Sequence, residues 1–180
     1  MGRTRQADPL RYRDAVSGDD PGLAFRRFMR RYPTGVTVVT AHAGDVHHGM
    51  TANSVTTLSP DPPSYLICVA KDARLHPVVE EAKAFAINLL GADQADISTT
   101  FANKDLSDDE RWATVITRHA SIGAKLIDGC IGYAECRVTA SFDGGTHTIY
   151  VGEVVKLEPG ADDPPLIFHD GGYSRLATDD

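Results

Sequence analysis

The first apolar pattern along the chain is helical. Apolar side chains recur every three or four residues after Asp20-Pro21, where a capping residue precedes proline at a first helical position. Pro33 and Gly35 then end the pattern. The sequence therefore predicts a short amphipathic helix whose apolar face carries Phe25, Phe28, Met29 and Tyr32.

Beyond this segment the pattern changes to runs typical of strands. The runs are rich in β-branched and aromatic residues and are bounded by Gly, Pro, Asn and Asp. Gly-containing turns at 43–45 and 143–145 predict two hairpins. Strands joined by hairpins over the whole length favour a mainly β fold, an antiparallel barrel with a few short helices, over a parallel βαβ sheet. The predicted strands cover residues 36–40, 46–58, 65–69, 85–90, 130–142 and 146–157.

Two more short helices interrupt the strands. One is predicted over residues 76–83. Another is predicted over 93–102, where Ile97 and Phe101 lie four apart on one face. The charged segment 104–111 that follows is expected to be exposed.

Length and charge narrow the classes of protein. With 180 residues, 42% of them hydrophobic, the chain suits a single domain, expected over residues 19–180 after a disordered tail at 1–18. A formal charge of −7 disfavours nucleic acid and anionic membranes as partners. No apolar stretch approaches the roughly 20 residues of a membrane span. Three cysteines without a CxxC pair fit a reducing cytoplasm and small buried apolar side chains.

Most catalytic motifs are missing. The sequence has no HExxH metal motif, no GxGxxG or phosphate-loop pattern and no GxSxG elbow. His47 and His48 are adjacent in a predicted strand, so their side chains point to opposite faces and do not share one ion. We therefore expect no metal site and interpret the hairpin histidines, His42 among them, as surface residues.

One polar stretch is not explained by packing in an apolar core. Thr51-Ala52-Asn53-Ser54 places small hydroxyl and amide side chains where the backbone can approach a ligand closely. A planar heterocycle with a hydrogen-bonding edge needs such groups. An exposed edge strand explains the same residues without a ligand.

Seven segments of the chain favour a ligand at this stretch over an exposed edge strand. They are, in order, 32–40, 49–54, 61–63, 85–90, 101–102, 147–149 and 171–173. Through these segments the chain from Phe25 to Leu176 resembles the flavin reductase-like family, the small reductase components of two-component flavin-dependent monooxygenases. This resemblance implies an FMN-binding split barrel that works as a homodimer.

The resemblance also implies which residues hold the flavin, either FAD or FMN. The segment 51–55 is expected along the isoalloxazine ring. His147 is the candidate catalytic residue, near the flavin and the nicotinamide, although from the residues alone it is equally an exposed strand histidine. Tyr173 is expected near the same pocket. The full set is Pro33, Thr34, Gly35, Met50, Thr51, Ala52, Asn53, Ser54, Val55, Val69, Ala70, Lys71, Arg74, Ser98, Phe101, Ala102, Asn103, His147 and Tyr173.

The chain departs from the family pattern after the 65–69 strand. Relatives often carry a turn with Ser and Thr that helps to hold the flavin phosphate, whereas this chain has Lys71 to Leu75. Asp72 repels a phosphate, so either Lys71 and Arg74 bind the anion or the Asp72 carboxylate faces solvent. Ser98 and Asn103 are expected to compensate through neutral hydrogen bonds.

The expected function is reduction of FAD or FMN by NADH or NADPH, with reduced flavin passing by diffusion to a separate monooxygenase. Hydride transfer needs no protein nucleophile, because the cofactors carry the chemistry. Two alternatives stay open. One is a flavin-binding oxidase of the same fold, and the other is a non-redox binding or assembly module.

Overall fold

The computed structural model of the chain describes residues 20–176. The predicted tail at 1–18 lies outside the described residues. Four helices are described, α1 (Pro21–Met29), α2 (Leu75–Ala82), α3 (Ala95–Ala102) and α4 (Asp108–Trp112). None of the helices in this described part is long and apolar enough to cross a membrane.

Helix α1 begins as its sequence predicts. The Asp20 side chain accepts a hydrogen bond from Gly22 N at 2.9 Å, and Pro21 occupies the first turn. The helix ends before Pro33, also as predicted. Its apolar face is exposed, however, with Phe28 70% and Phe25 53% accessible.

Twelve strands are described between residues 20 and 176. They are β1 (Thr34–Gly35), β2 (Thr37–Ala43), β3 (Val46–Ala52), β4 (Val55–Pro60), β5 (Pro63–Ala70), β6 (Ala84–Leu89), β7 (Thr117–His119), β8 (Lys125–Ile127), β9 (Gly132–Gly144), β10 (His147–Pro159), β11 (Ile167–His169) and β12 (Gly172–Ser174). The mainly β, antiparallel prediction is confirmed.

The edges of the central sheet are formed by two strands that are neighbours in the chain. Its seven strands run in the order β3-β2-β6-β9-β10-β5-β4, so β3 and β4 are the two edges. Only Asn53 and Ser54 separate these edge strands. Two residues span a few ångströms, so the end of β3 and the start of β4 lie close together at this connection, which we call the barrel seam.

Both predicted hairpins are confirmed. The β2–β3 hairpin turns at Gly44, whose φ is +55°, and the long β9–β10 hairpin turns at Gly145, whose φ is +80°. Positive φ at these positions is accessible to glycine without steric cost. The β9–β10 pair extends over thirteen residues in each strand and carries the barrel's longest ladder.

Two apolar clusters stabilise the fold, one on each face of β2. Val39 and Ala41 belong to the cluster that includes Phe85 and α2. Val38, on the opposite face, belongs to the cluster that includes α3 and the β7–β8 pair. Burial on both faces explains why residues 36–41 are a nearly continuous run of small and β-branched residues instead of an alternating one.

The prediction that residues 104–111 are exposed is wrong in part. Asp108–Trp112 forms α4, which begins with a capping box in which Ser107 and Glu110 satisfy each other's backbone N–H groups. Arg111 is only 3% exposed. The Ser-x-x-Glu pattern in the sequence is the signal that predicts this helix start.

Candidate functional site

Two neighbouring cavities lie beside the barrel seam. The first cavity has a volume of about 220 Å³ and the second a volume of about 350 Å³. Asn53 lines both cavities. The first is lined by Val36, Thr51, Asn53, Ser98, Ala102, Phe168 and Tyr173. The second is lined by Tyr32, Pro33, Thr34, Gly35, Thr37, Asn53, Val55, Thr56, Thr57, Tyr65 and Leu89. The structure thus brings together nine residues that the sequence predicted, Pro33, Thr34, Gly35, Thr51, Asn53, Val55, Ser98, Ala102 and Tyr173.

Helix α3 is held close against β3 at the first cavity. The Thr51 hydroxyl donates to the Ser98 carbonyl at 2.6 Å, and the Tyr173 hydroxyl donates to Ser98 Oγ at 2.9 Å. Gly49 permits this approach, because a Cβ there would lie 2.6 Å from Phe101 Cε1. Phe101 itself is 2% exposed and packs edge to face on Trp112, so its side chain lies in the core and does not line either cavity.

A small three-stranded sheet forms the opposite wall. Its strand order is β1-β11-β12, and the β11–β12 turn has positive φ at Asp170 and Gly171, the backbone that Asp-Gly favours in a two-residue hairpin. Phe168 and Tyr173 face each other across this hairpin with ring centroids 5.8 Å apart. The sequence prediction did not include eight other lining residues, because pairing and packing of distant segments bring them to the cavities. They are Val36 and Phe168 in the first cavity and Tyr32, Thr37, Thr56, Thr57, Tyr65 and Leu89 in the second.

The seam connection leaves hydrogen-bond donors free. The Ser54 hydroxyl donates to the Cys68 carbonyl at 2.9 Å, and the Ser54 carbonyl accepts from Cys68 N at 3.1 Å. Within residues 20–176, neither the backbone N–H groups of Asn53 and Ser54 nor the Asn53 side-chain amide has a partner. Both residues are exposed. The seam therefore presents a cluster of donors to whatever lies beside it.

His147 lies at the start of β10, next to the end of β5. It pairs with Ala70 in the sheet, and its Nδ1 lies 2.9 Å from the Thr146 hydroxyl. Since Ser54 bonds to Cys68, the seam connection and His147 flank the same end of β5. His147 is exposed and lines neither cavity in the single chain.

The turn from Lys71 to Leu75, where the chain departs from the family pattern, contains two cationic side chains, and both already have partners. Lys71 Nζ lies 2.7 Å from Asp143 Oδ1 on the β9–β10 hairpin. Arg74 Nη2 donates to the carbonyls of Lys104 and Leu106, at 3.1 and 2.7 Å. Asp72 is exposed, in keeping with the expectation that its carboxylate faces solvent. Phosphate binding by Lys71 or Arg74 stays a prediction, and each would share its cation with the partner it has here.

The loop after α3 is anchored from three sides. Arg111 Nη2 donates to the Asn103 carbonyl at 2.5 Å, while the Asn103 side chain accepts from Asp105 N at 2.9 Å. His48 Nδ1 lies 2.7 Å from Asp108 Oδ1, and burial lowers the pKa of His48 despite that carboxylate. His48 is only 3% exposed, so the prediction of a surface histidine is wrong. Helix α4 covers it.

The remaining predicted residues contribute backbone or core. Val69 and Ala52 are buried in the main apolar cluster and Met50 packs against it, while Ala70 is half-buried at the end of β5.

Cys130 and Cys136 are buried, and burial raises the pKa of each thiol to about 12, which agrees with a packing role.

The cavity chemistry fits a flavin. Among residues 20–176 the buried Thr34 Oγ1 has no hydrogen-bond partner, and it lines the second cavity, where a polar ligand atom would satisfy it. The other polar groups are hydroxyls, an amide and backbone N–H groups beside apolar and aromatic walls. A planar heterocycle with a polar edge needs this combination.

The fold and the site together define a class. Residues 29–177 match the family model described as "Flavin reductase like domain", and the chain belongs to this family.

Individual relatives resemble the chain over most of its length. It is 39% identical over 163 residues to "FMN reductase (NADH) SmoA" of Agrobacterium fabrum, with 90% of each chain covered. It is 36% identical to the reductase component of a 4-nitrophenol 4-monooxygenase/4-nitrocatechol 2-monooxygenase of Rhodococcus opacus, covering 84% of this chain and 80% of that protein. The solved structure of the NADH:FAD oxidoreductase of Streptomyces globisporus C-1027, in complex with NAD and FAD fragments, matches with a TM-score of 0.83 and 37% identity, covering 91% and 99% of the two chains.

Proposed function

We propose that the protein is an NADH-dependent flavin reductase that reduces FAD or FMN for a separate monooxygenase. The observation that carries this proposal is the donor-rich barrel seam at Asn53 and Ser54, which borders both cavities in a chain of the flavin reductase family. The names of the similar proteins support NADH as the hydride donor and a monooxygenase as the consumer of reduced flavin.

A flavin held here would supply the redox chemistry as the hydride acceptor. The seam residues would hold its polar edge. The Asn53 amide and the free N–H groups of Asn53 and Ser54 are fixed donors, and fixed donors stabilise negative charge that collects on a ligand during reduction. Phe168 and Val36 exclude water from one side of the cavity.

His147 has a positioning role in this proposal. Its exposed imidazole stands next to the end of β5, outside the two cavities, where it would contact a nicotinamide that stacks on the flavin. Stacking or a hydrogen bond from His147 orients the nicotinamide toward the flavin, and orientation is the main contribution a protein makes to hydride transfer.

A second copy of the chain completes the site. The apolar face of α1 is unpartnered in the single chain, with Leu23 44%, Phe25 53% and Phe28 70% exposed. Tyr32, directly after α1, is 63% exposed and lines the second cavity. Burying this face against another chain removes apolar area from water and deepens the cavity.

A cytoplasmic location is proposed from the three free cysteines.

The two alternatives have less support. A flavin-binding oxidase acting on a phosphorylated amine needs uncommitted cations near the ring, whereas Lys71 and Arg74 are committed to Asp143 and to loop carbonyls. A non-redox module is not favoured, because the similar proteins are named as flavin reductases.

The test is NADH oxidation followed at the reduced-nicotinamide absorbance band with purified protein, titrating FAD and FMN separately. The expected result is turnover only when flavin is added, faster with NADH than with NADPH. Flavin binding without NADH consumption would contradict the reductase and favour the oxidase, and no flavin binding would favour the module.

A further inference from the structure

Helix α1 has a basic face opposite its apolar face. Arg30 caps the helix with helical backbone angles, and Arg31 N donates to the Phe28 carbonyl at 3.1 Å, so the helical turn continues through both residues. With about 3.6 residues per turn, the arginines of this segment fall on the side of the helix away from its apolar residues. We call these four exposed residues, Arg26, Arg27, Arg30 and Arg31, the basic face of α1.

The basic face differs from most other cations of the chain. Within residues 20–176, none of its four arginines forms an ion pair with a carboxylate. Six other cations of the same range do have carboxylate partners, namely Lys71, Lys83, Arg111, Arg118, Lys156 and Arg175. The formal charge of the chain is −7, so the basic face stands out against an acidic protein.

The spacing of the arginines keeps like charges together. Arg26 and Arg30 are four residues apart, as are Arg27 and Arg31, so each pair forms one column on the helix surface. Like charges at this spacing repel each other and destabilise a helix. An anion that carries two neighbouring negative charges would remove this repulsion. A diphosphate is such an anion, and the arginine guanidinium matches the geometry of phosphate oxygens.

The contacts of Arg30 place the basic face beside the walls of both cavities. Its carbonyl accepts from Asp170 N at 2.8 Å, and a Cβ on Gly171 would lie 3.6 Å from its Cζ, so the guanidinium packs on the β11–β12 turn. Strand β12, which follows this turn, carries Tyr173 to the first cavity. Tyr32, directly after the basic face, lines the second cavity.

The size of the cavities leaves part of a dinucleotide outside. Volumes of about 220 and 350 Å³ suit a ring system but not a whole dinucleotide, so the diphosphate and the second nucleoside extend to the surface. Within residues 20–176, the Asp170 carboxylate forms no ion pair with the basic face, so it leaves the arginines available to an anion.

We propose that the basic face of α1 binds the diphosphate of a dinucleotide, NADH or FAD, whose ring lies at the cavities. This inference rests on the proposed function and adds a contact surface outside the residues that line the cavities. NADH and FAD share the diphosphate, whereas FMN carries a single phosphate. Exposed cations also attract anions through solvent, so the contribution of the basic face depends on salt.

The first measurement is the KM for NADH with FMN as the flavin, for Arg30→Gln and for Arg26→Gln/Arg30→Gln. Because FMN has no diphosphate, a higher KM identifies NADH as the dinucleotide that is bound. Loss of exposed charge contacts predicts a KM about two- to fivefold higher in the single variant and higher again in the double variant, with kcat unchanged. The wild-type KM should rise with added NaCl, and the KM of the double variant should rise less.

The second measurement gives the dissociation constants of FAD and FMN from quenching of flavin fluorescence, without NADH. Weaker binding of FAD together with wild-type binding of FMN identifies FAD. Lys83→Gln is the matched control for the single variant, because it removes one positive charge at the end of α2, which packs on the opposite face of β2 from α3. Its KM and dissociation constants should equal those of the wild type.

Three results would overturn the role of the basic face. The first is a double variant with wild-type KM and wild-type dissociation constants. The second is equal weakening of FAD and FMN with an unchanged KM for NADH. The third is a higher KM that keeps the wild-type salt dependence, since a merely structural role of the arginines predicts that outcome. If the wild type neither binds flavin nor consumes NADH, the proposed function itself fails.

Discussion

Gly49 of β3 lies directly against the ring of Phe101 of α3, so closely that a Cβ at Gly49 would stand 2.6 Å from Cε1 and 2.8 Å from Cδ1. Glycine at position 49, the first residue of the family segment 49–54, is therefore explained by the close packing of α3 against β3. The helix that it admits carries Ser98, the residue joined to both Thr51 and Tyr173.

Gly49→Ala should destabilise the protein by about 1–3 kcal/mol, the usual cost of overpacking a core. The added methyl group pushes α3 from β3, so flavin affinity should fall as well. Urea unfolding measures the first effect and fluorescence titration the second. Gly172→Ala, where nothing lies within 4 Å of the new Cβ, is the stability control.

A second substitution shows whether the loss of stability in Gly49→Ala comes from a steric conflict with Phe101. Phe101→Leu removes the atom that a Cβ at position 49 meets, so the double variant Gly49→Ala/Phe101→Leu should be more stable than the sum of the single changes predicts. Simple additivity would show that the two residues do not conflict.

Asn53→Ala should raise the flavin dissociation constant by about fivefold, the loss of one hydrogen bond. The melting temperature should stay unchanged, because the Asn53 amide has no partner within residues 20–176. The measurement is a flavin titration with a parallel thermal melt. Wild-type affinity together with a wild-type rate of flavin reduction would reject the role of Asn53 at the ring edge.

His147→Ala should change the nicotinamide step and leave flavin affinity alone. The side chain lines neither cavity, and within residues 20–176 its hydrogen bond is to the Thr146 hydroxyl. We expect hydride transfer slower by about three- to tenfold in rapid mixing of NADH with flavin-loaded protein, the scale of one lost contact. Transfer at the wild-type rate, at all NADH concentrations, would contradict the assignment.

Two histidines of β3 predict lower stability in acid. Burial lowers the pKa of His47 and of His48 from the ordinary value of 6.5. The unfolded chain then binds protons at a higher pH than the folded chain. Stability from these groups is fully present above pH 6.5 and declines as the pH falls through that value toward the folded pKa.

The check is the urea midpoint measured from about pH 8 to about pH 5.5, the range in which histidine titrates. His48→Asn keeps an N–H donor for Asp108 and removes the titration, so its midpoint should vary less with pH than that of the wild type. Identical slopes for the two proteins would exclude His48 as a source of the dependence.

The proposed dimer can be tested through α1. Phe28→Asp places a charge on the exposed apolar face, where Phe28 is 70% accessible in the single chain. Burying that charge in an interface costs several kcal/mol, so we expect a monomer in analytical ultracentrifugation and weaker flavin binding. Arg27→Glu, outside the apolar face, is the control and should stay dimeric. A monomeric wild type with full flavin affinity would reject the interface.

Local signals predicted most of the fold. The Asp20-Pro21 cap, the glycine turns at Gly44 and Gly145 and the β-branched runs each act within a few residues, so they are legible in the sequence. The order of the strands in the central sheet is not a local property. It depends on pairing between distant segments, which leaves β3 and β4 as the two edges.

The sequence predicted the location of some site residues but not the contacts of others. The family resemblance brought Thr51, Asn53 and Tyr173 to one place, and all three line the first cavity. Burial of His48 depends on α4 covering β3, a contact between segments sixty residues apart that no spacing reveals. Arg74 shows the same limit, because its two carbonyl partners lie on a distant loop.

The two-residue connection between β3 and β4 also has a consequence for exchange kinetics. Strand edges carry backbone N–H groups that no neighbouring strand protects, and here Asn53 and Ser54 join the end of one edge strand to the start of the other. A ligand seated at this connection covers the adjoining ends of both strands at once. Deuterium uptake by the amides at the end of β3 and at the start of β4 should therefore slow on flavin binding far more than uptake by β9, whose amides are protected by neighbours on both sides.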